Sequence, residues 1–208
     1  MRCRAVVGRP WIRASGGPSS SPGLDACGNS GKAVRPSTLA GPCMLIVFSG
    51  LPGTGKTTIA RTLAPHLAAT YLRIDSIEQG LRDAGLAQVG KAGYQIALQL
   101  AEANLALGNR VLADCVNPVQ ESRQAWQALA SRQGVRLLEI EVVCSDLAEH
   151  RRRVETRQLD VPGLRPPSWQ SVLEHDYQPW ASSPLRLDTA QLSPQQALAV
   201  ILACLPGA

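Results

Sequence analysis

One segment of this chain has the residue types and spacing of a phosphate-binding loop (P-loop), Gly50-Leu51-Pro52-Gly53-Thr54-Gly55-Lys56-Thr57. It matches the pattern G-x-x-x-x-G-K-[ST], in which backbone N–H groups of a glycine-rich turn surround phosphate groups. The lysine of this pattern reaches the β- and γ-phosphates, and the Ser or Thr hydroxyl binds Mg²⁺. A glycine turn that only caps a helix is the alternative. Because the segment follows an apolar strand pattern and opens a helical one, we predict a site for Mg-ATP.

The predicted nucleotide-binding residues extend from the first glycine into the following helix. Lys56 is also predicted to be catalytic, and Thr57 to be a Mg²⁺ ligand. The complete set is Gly50, Leu51, Pro52, Gly53, Thr54, Gly55, Lys56, Thr57 and Thr58.

Asp75 follows a second strand pattern and would lie at the carboxyl edge of a parallel sheet, where open α/β folds bind ligands. A carboxylate at this edge could accept the proton of an acceptor hydroxyl as the hydroxyl attacks the γ-phosphate. The spacing to Glu78 also fits a helix N-cap, in the form D-x-x-E. Asp75 is therefore a candidate catalytic base and acceptor-binding residue, with capping as the alternative.

Asp114 closes the apolar run VLAD and is a second carboxylate of the predicted sheet edge. This is the form of a carboxylate that holds Mg²⁺ through water at a nucleotide site. An acceptor-binding carboxylate and a cap for the helix after Pro118 are the alternatives. Arg123, near the start of that helix, is a candidate for holding the acceptor or its phosphate.

Five arginines lie on or just after a predicted helix, and two of them, Arg153 and Arg157, are four residues apart and share one face. They could converge on a triphosphate and stabilise its charge as a lid over it, at about residues 147–168. A solvated arginine face paired with Glu149 and Glu155 is the alternative. The aromatic residues after the lid, Trp169, Tyr177 and Trp180, are expected to pack the lid helices; stacking on a base is the other possibility.

From residue 44 onward, short aliphatic runs alternate with helical patterns, which is typical of a parallel sheet with crossover helices. The predicted strands are 44–49, 70–74, 110–114, 135–143 and 184–187. The predicted helical segments are 56–69, 91–108, 119–133, 147–158 and 194–205. The stretch 159–169 contains three prolines and is predicted to be a surface excursion.

The basic excess of the chain lies at its start. Residues 1–43 contain six of the 21 Lys and Arg residues and one of the 16 Asp and Glu residues, so residues 44–208 have fifteen of each. Nucleic acid is therefore not an expected partner of the second part. We predict a disordered Gly/Pro/Ser-rich extension over 1–43 and one domain over 44–208. For the extension, an adventitious segment with Met44 as the natural start is favoured over an organelle transit peptide.

No run of about 18 apolar residues is present, so no membrane span is predicted. The six cysteines form no CxxC pair and no secretory signal precedes them, which indicates a reducing, cytoplasmic compartment. A monomer or a small homo-oligomer is expected.

Several segments together resemble the adenylate-kinase-like P-loop kinases that are often labelled AAA-type ATPases. These segments are GLPGTGKTT, YLRIDSIEQGLR, VLADCVNP, EHRRRVETR and PSWQSVLEHDYQPW. Relatives in this group include chloramphenicol phosphotransferase, gluconate kinase, zeta toxins and the kinase domain of polynucleotide kinases. The resemblance implies a three-layer fold with a five-stranded parallel sheet, helices on both faces, Mg-ATP as donor and an arginine-bearing lid.

In relatives of this group the aspartate after the second strand acts as the base, which corresponds here to Asp75, and the lid arginines correspond to Arg153 and Arg157. The expected function is transfer of the γ-phosphate of ATP to a hydroxyl of a small molecule. A kinase acting on a nucleotide or a nucleic-acid end, and an ATP-binding regulatory module without transfer, are the alternatives.

Overall fold

The computed structural model describes residues 43–158 and 160–205. The predictions about residues 1–42 lie outside the described residues. Five strands are present in the described part of the chain: β1 (Met44–Ser49), β2 (Thr70–Arg73), β3 (Val111–Asp114), β4 (Arg136–Val143) and β5 (Leu185–Asp188).

Seven helices connect or follow these strands over the same residues. They are α1 (Lys56–His66), α2 (Ile74–Asp83), α3 (Ala92–Ala106), α4 (Gln120–Gln133), α5 (Leu147–Thr156), α6 (Trp169–Leu173) and α7 (Pro194–Ala203). Several begin at a recognisable cap: Ser193 and Gln196 form a capping box at α7, and the Asp146 side chain accepts from two N–H groups of α5.

The five strands form one parallel sheet in the order β2-β3-β1-β4-β5. Its register sets Asp114 of β3 beside Phe48 of β1 on one side and Arg73 of β2 on the other. The carboxyl ends of the three strands that precede α1, α2 and α4 therefore meet at one edge. This is the edge where open α/β sheets bind ligands.

Helices cover both faces of the sheet. On one face, Ile46 and Phe48 of β1 pack in a cluster with α1 and α7; on the other, Leu45 and Val47 pack with α3 and α4. All six residues of β1 are buried, because alternate side chains point into two different cores. The predicted three-layer α/β fold with a five-stranded parallel sheet is confirmed.

The predicted strands agree with the observed ones to within one residue at each end. The main differences lie where the chain changes element without a loop. β2 ends at Arg73 and α2 begins at Ile74, so the prediction that residue 74 belongs to the strand is wrong. The short helix α6, which begins at Trp169, was not predicted as an element.

No helix in residues 43–158 or 160–205 is long and apolar enough to cross a membrane.

Candidate functional site

The P-loop joins β1 to α1 and has the backbone conformation that its glycines allow. Gly50 has φ 141° and Gly53 has φ 84°, values that residues with a side chain rarely adopt. A Cβ at Gly50 would collide with the Val142 carbonyl oxygen, and a Cβ at Gly53 would lie 2.5 Å from a methyl group of Val154. Both glycines are therefore required for the loop to pass this close to β4 and α5.

The first turn of α1 is left open for an anion. The N-cap is Gly55, which has no side chain to accept a hydrogen bond from the first N–H groups. Uncapped N–H groups at a helix N-terminus carry partial positive charge and bind phosphate. Lys56, the first residue of α1, adds a full positive charge; it is 5% exposed, and its Nζ lies 3.5 Å from the Leu51 carbonyl oxygen. The open N-terminus of α1 and the Lys56 side chain thus lie together at the end of the P-loop.

A cavity of about 610 Å³, here called the phosphate cavity, opens beside this turn. Its wall is formed by the P-loop and α1 on one side and by the end of α5 with the following residues on the other. The lining residues include Gly53, Gly55, Lys56, Thr57, Thr58, Arg61, Arg153, Arg157 and Asp160. A second cavity of about 180 Å³, the small cavity, lies next to it and is lined by Gly55, Thr58, Ile59, Arg153, Thr189, Leu192 and Pro194.

The predicted P-loop residues do not all face these cavities. Thr54 is buried, and its hydroxyl donates to the Leu51 carbonyl oxygen at 2.9 Å, so its side chain shapes the loop itself. Leu51 and Pro52 are not among the lining residues of either cavity. The side chains of Lys56, Thr57 and Thr58 do line the phosphate cavity.

Arg153 and Arg157 are brought together at the phosphate cavity. Arg153 lies close to the P-loop: its Nη1 donates to Thr189 Oγ1 at 2.8 Å, and Thr189 Oγ1 donates to the Thr54 carbonyl oxygen at 2.8 Å. The Glu149 carboxylate accepts from Arg153 Nε at 2.7 Å and holds its orientation. Hydrogen bonds from Arg152 and Arg153 lower the pKa of Glu149 to about 2.

The neighbouring arginines of α5 behave differently. Arg151 pairs with Glu155 at 2.8 Å and Arg152 pairs with Glu149 at 2.7 Å, both on the exposed side of the helix. The alternative of a solvated arginine face thus describes these two residues. α5 is also fixed to the P-loop by His150, whose Nε2 is 2.8 Å from the Pro52 carbonyl oxygen.

Asp114 is 2% exposed at the carboxyl end of β3. Its Oδ2 accepts from the Tyr71 hydroxyl at 2.8 Å, and its Oδ1 has no hydrogen-bond partner among the described residues. Burial and the Asp114 charge raise the pKa of Tyr71, so the hydroxyl remains a donor. The alternative that Asp114 caps α4 is wrong, because the N-cap of α4 is Val119.

The free Oδ1 atom of Asp114 fits a site for hydrated Mg²⁺, since a carboxylate oxygen that only accepts can bind a water ligand of the ion. The described residues contain no group of three or more His, Cys, Asp or Glu that could hold a metal ion. A Mg²⁺ ion here would depend on Thr57, Asp114, water and phosphate oxygens, which is how this ion is bound beside nucleotides.

Asp75 lies in the first turn of α2, with its side chain 30% exposed and its Oδ2 3.5 Å from Arg73 Nη2. The N-cap of α2 is Arg73, so the alternative that Asp75 caps this helix together with Glu78 is wrong. The helix begins directly at the strand end, which puts Asp75 two residues after Arg73, the register partner of Asp114. The position agrees with a carboxylate at the ligand-binding edge.

Arg123 does not face either cavity. It is 1% exposed, and its guanidinium donates to the carbonyl oxygens of Asn117, Pro118, Gln178 and Pro179 at 2.8 to 3.1 Å. Its guanidinium also lies over the rings of Tyr177 and Trp180, with the guanidinium carbon 5.1 and 4.1 Å from their ring centres. The predicted role in holding an acceptor is therefore replaced by a structural one, and these aromatic rings pack on an arginine.

A pair that the sequence did not suggest joins the end of β2 to the residues after α5. Arg73 Nη1 donates to both carboxylate oxygens of Asp160 at 2.8 and 2.9 Å, and Arg61 of α1 also donates to Asp160. The hydrogen bonds from Arg73 lower the pKa of Asp160. Nothing in the local pattern reveals this pair, because 87 positions separate Arg73 from Asp160.

Residues 45–165 match the model of a family described as an AAA domain (AAA_33). The chain belongs to this family. The match covers more than half of the chain and includes the P-loop, Asp75, Asp114, Arg153 and Arg157. The resemblance to the AAA-type P-loop kinase group is confirmed.

A shorter similarity links the chain to the replication-associated recombination protein A of Haemophilus influenzae. The two are 38% identical over 53 residues, which is 26% of this chain and 12% of that protein. The chain therefore spans only a small part of this relative.

Solved structures with the same fold include APS kinase CysC of Mycobacterium tuberculosis in complex with AMPPNP and APS, at 19% identity and a TM-score of 0.56, covering 78% of this chain and 96% of that one. A gluconokinase from Sinorhizobium meliloti 1021 matches at 19% identity and a TM-score of 0.54, covering 78% and 93%. The protein APE1195 matches at 23% identity and 0.61, covering 78% and 94%. The chain thus has a nucleotide-binding fold of the P-loop kinase type.

Proposed function

We propose that this protein transfers the γ-phosphate of Mg-ATP to a hydroxyl group of a small-molecule acceptor. The observation that carries the proposal is the phosphate cavity, where the uncapped start of α1 and Lys56 face Arg153 and Arg157 across one space. A site with fixed positive groups on two sides stabilises the charge of a phosphoryl group during its transfer. A glycine turn that only capped a helix would need neither the cavity nor the arginines.

The donor would bind with its phosphates in the phosphate cavity and its base in the small cavity. The small cavity combines apolar side chains of Ile59 and Leu192 with the polar Thr189, the mixture that a flat heterocyclic base requires. Arg153 lines both cavities and would contact both ends of the nucleotide. The structure of APS kinase CysC with AMPPNP supports nucleotide binding by this fold.

The residues at the carboxyl edge of the sheet would bind Mg²⁺ and accept the proton of the acceptor hydroxyl. Thr57 and Asp114 would hold Mg²⁺, which neutralises phosphate charge when bound. Asp75 would accept the proton of the acceptor hydroxyl, since its carboxylate is partly exposed at the ligand-binding edge. Lys56 and the two lid arginines would hold the transferring group in line with that hydroxyl.

The acceptor is proposed to be a small molecule. Residues 44–208 have equal numbers of acidic and basic residues, and a protein that binds long nucleic acids needs a basic surface. The names of the gluconokinase and the APS kinase, which have the same fold, agree with a small acceptor.

The proposal is tested by incubating the protein with γ-labelled Mg-ATP and pools of hydroxyl compounds, and by identifying labelled products. We expect transfer to one chemical class. We expect the Asp75→Asn variant to lower kcat by about 10²–10⁴-fold, because the general base is lost, while the KM for ATP changes little.

Asp83→Asn is the matched control, since Asp83 ends the same helix and is exposed. Its kcat should equal that of the wild type. Unchanged transfer by Asp75→Asn to every acceptor would contradict the role of Asp75 as a base.

A further inference from the structure

We propose that Arg73 binds an oxyanion group of the phosphate acceptor, and that the Asp160 carboxylate takes this position in the present structure. The inference rests on the proposed function and narrows it, because it restricts the acceptor to a compound that has both a hydroxyl group and a phosphate, sulfate or carboxylate group.

The first step is the burial of Arg73. It is the last residue of β2, and its side chain is 5% exposed. A buried guanidinium group needs partners that compensate its charge. Arg123 has carbonyl oxygens and aromatic rings for this purpose, whereas the partners of the Arg73 guanidinium among the described residues are carboxylates. Asp75, at 3.5 Å, is at the outer limit of contact, so Asp160 provides the close anionic partner.

The second step is the exposed position of Asp160 at the phosphate cavity. Asp160 lies between α5 and α6, its side chain is 40% exposed, and it lines the phosphate cavity. Its two oxygens lie between the guanidinium groups of Arg73 and Arg61, which is the arrangement in which arginines bind a phosphate or carboxylate ligand. An exposed loop carboxylate can be replaced there by a ligand oxyanion.

The third step is the spare hydrogen-bonding capacity of Arg73. Its Nε–H is buried and has no hydrogen-bond partner among the described residues. Buried donors are normally paired, so an unused one at a binding edge indicates a group that Asp160 does not fully satisfy. A tetrahedral oxyanion has more acceptor atoms than a carboxylate and could engage this donor as well.

The fourth step is the short distance between Arg73 and Asp75, the proposed base. Arg73 is directly beside Asp114 in the sheet register, and its Nη2 is 3.5 Å from the carboxylate of Asp75, the proposed base. A ligand oxyanion on Arg73 would therefore bring a hydroxyl group of the same small molecule within reach of Asp75. A neutral acceptor would leave Arg73 bound to Asp160.

The test is a calorimetric titration of inorganic phosphate into the full chain saturated with Mg-AMPPNP, so that the P-loop is filled. Asp160→Asn removes the competing carboxylate and should bind phosphate about tenfold more tightly than the wild type. Glu102→Gln is the matched control, because it frees the exposed Arg132 of α4 from its carboxylate partner in the same way. It should bind phosphate like the wild type.

Two double variants show which arginine is responsible for the tighter phosphate binding of Asp160→Asn. Arg73→Gln with Asp160→Asn should lose the gain in phosphate affinity. Arg61→Gln with Asp160→Asn should keep most of that gain, and we expect this variant to fold because Arg61 is exposed. Equal affinity of Asp160→Asn and the wild type, or a gain that depends on Arg61 alone, would overturn the proposal. The comparison with Arg61 decides the matter even if the variant lacking Arg73 does not fold.

Failure of the proposed function would look different. In that case no hydroxyl compound would be labelled in the transfer screen, whereas the phosphate affinities of the wild type and the four variants could still be compared. In the transfer screen, the inference predicts labelling of hydroxy acids or of phosphorylated or sulfated alcohols in preference to neutral sugars, and a preference for neutral sugars would contradict it.

Discussion

Asp114 combines deep burial with an acceptor atom that the described residues leave unused. A buried carboxylate in that condition is costly unless a ligand or water completes its hydrogen bonds. Tyr71 satisfies one oxygen and the other remains for a hydrated cation. The proposed role in Mg²⁺ binding therefore explains a feature that packing alone does not.

If this role is right, Asp114→Asn should reduce the affinity for ATP about tenfold in the presence of Mg²⁺ and little in its absence, because only the metal-bound nucleotide uses the carboxylate. Calorimetric titrations of ATP with and without Mg²⁺ measure both values. Asp176→Asn, an exposed aspartate, is the control. An equal loss under both conditions would mean that Asp114 acts on the fold and not on the metal.

The sequence identified the residues of the P-loop because their chemistry and their spacing are local. Arg123 shows the limit of this reasoning. A buried arginine that holds carbonyl groups has the same sequence signature as an arginine that holds a ligand, and only its contacts across about 55 positions separate the two. The pair of Arg73 and Asp160 was missed for the same reason, because 87 positions separate the two residues and the one local partner of Arg73 is Asp75.

Among the elements, α5 presents two different faces, and the sequence left open which of its arginines lie on the exposed one. Arg153 faces the P-loop and Thr189, while Arg151 and Arg152 pair with glutamates in solvent. Exposed pairs of this kind contribute little to stability, roughly 0–1 kcal/mol. An arginine held beside a bound phosphate has a different effect, because it stabilises the negative charge of the ligand.

We therefore expect Arg153→Ala to weaken Mg-ATP binding by about 10- to 100-fold, because one of the three arginines that line the phosphate cavity is lost. Arg151→Ala, on the same helix, should stay within about twofold of the wild type. Fluorescence titration with a labelled ATP analogue measures both. Similar effects of the two substitutions would show that α5 acts through its general charge.

The strand pattern predicted the sheet well because aliphatic runs buried on both faces leave few alternatives. The β2–α2 junction was harder. A strand that continues into a helix without a connecting loop gives no turn residues to mark the boundary, so Ile74 and Asp75 were open to two interpretations. The short α6 lies after three prolines and is too brief for a periodic signal.

At the scale of the molecule, Arg123 joins two distant parts of the chain. It ties the connection between β3 and α4 to residues 177–180, through hydrogen bonds and two aromatic rings. Arg123→Ala would remove the donor from the carbonyl oxygens of Asn117, Gln178 and Pro179, and would leave that of Pro118 with the Gln178 N–H group only. We expect a loss of about 3–5 kcal/mol in the free energy of unfolding, measured with urea.

The same variant should bind Mg-ATP nearly as the wild type does wherever it remains folded, which calorimetry at low temperature checks. Wild-type stability together with weakened ligand binding would instead restore the ligand-holding role that the sequence suggested.

The boundary at residue 44 stays a prediction, since it concerns residues outside the described part of the chain.

The central claim is that Gly50 to Thr57 binds the phosphates of ATP, and calorimetric titration of Mg-ATP into the wild type, Lys56→Ala and Lys91→Ala tests it most directly. Lys91 is exposed and distant in sequence, and serves as the charge-matched control. We predict one site in the wild type, unchanged affinity for Lys91→Ala and at least about a hundredfold loss for Lys56→Ala with an unchanged fold by circular dichroism. Binding of Mg-ATP to Lys56→Ala with wild-type affinity would contradict the assignment.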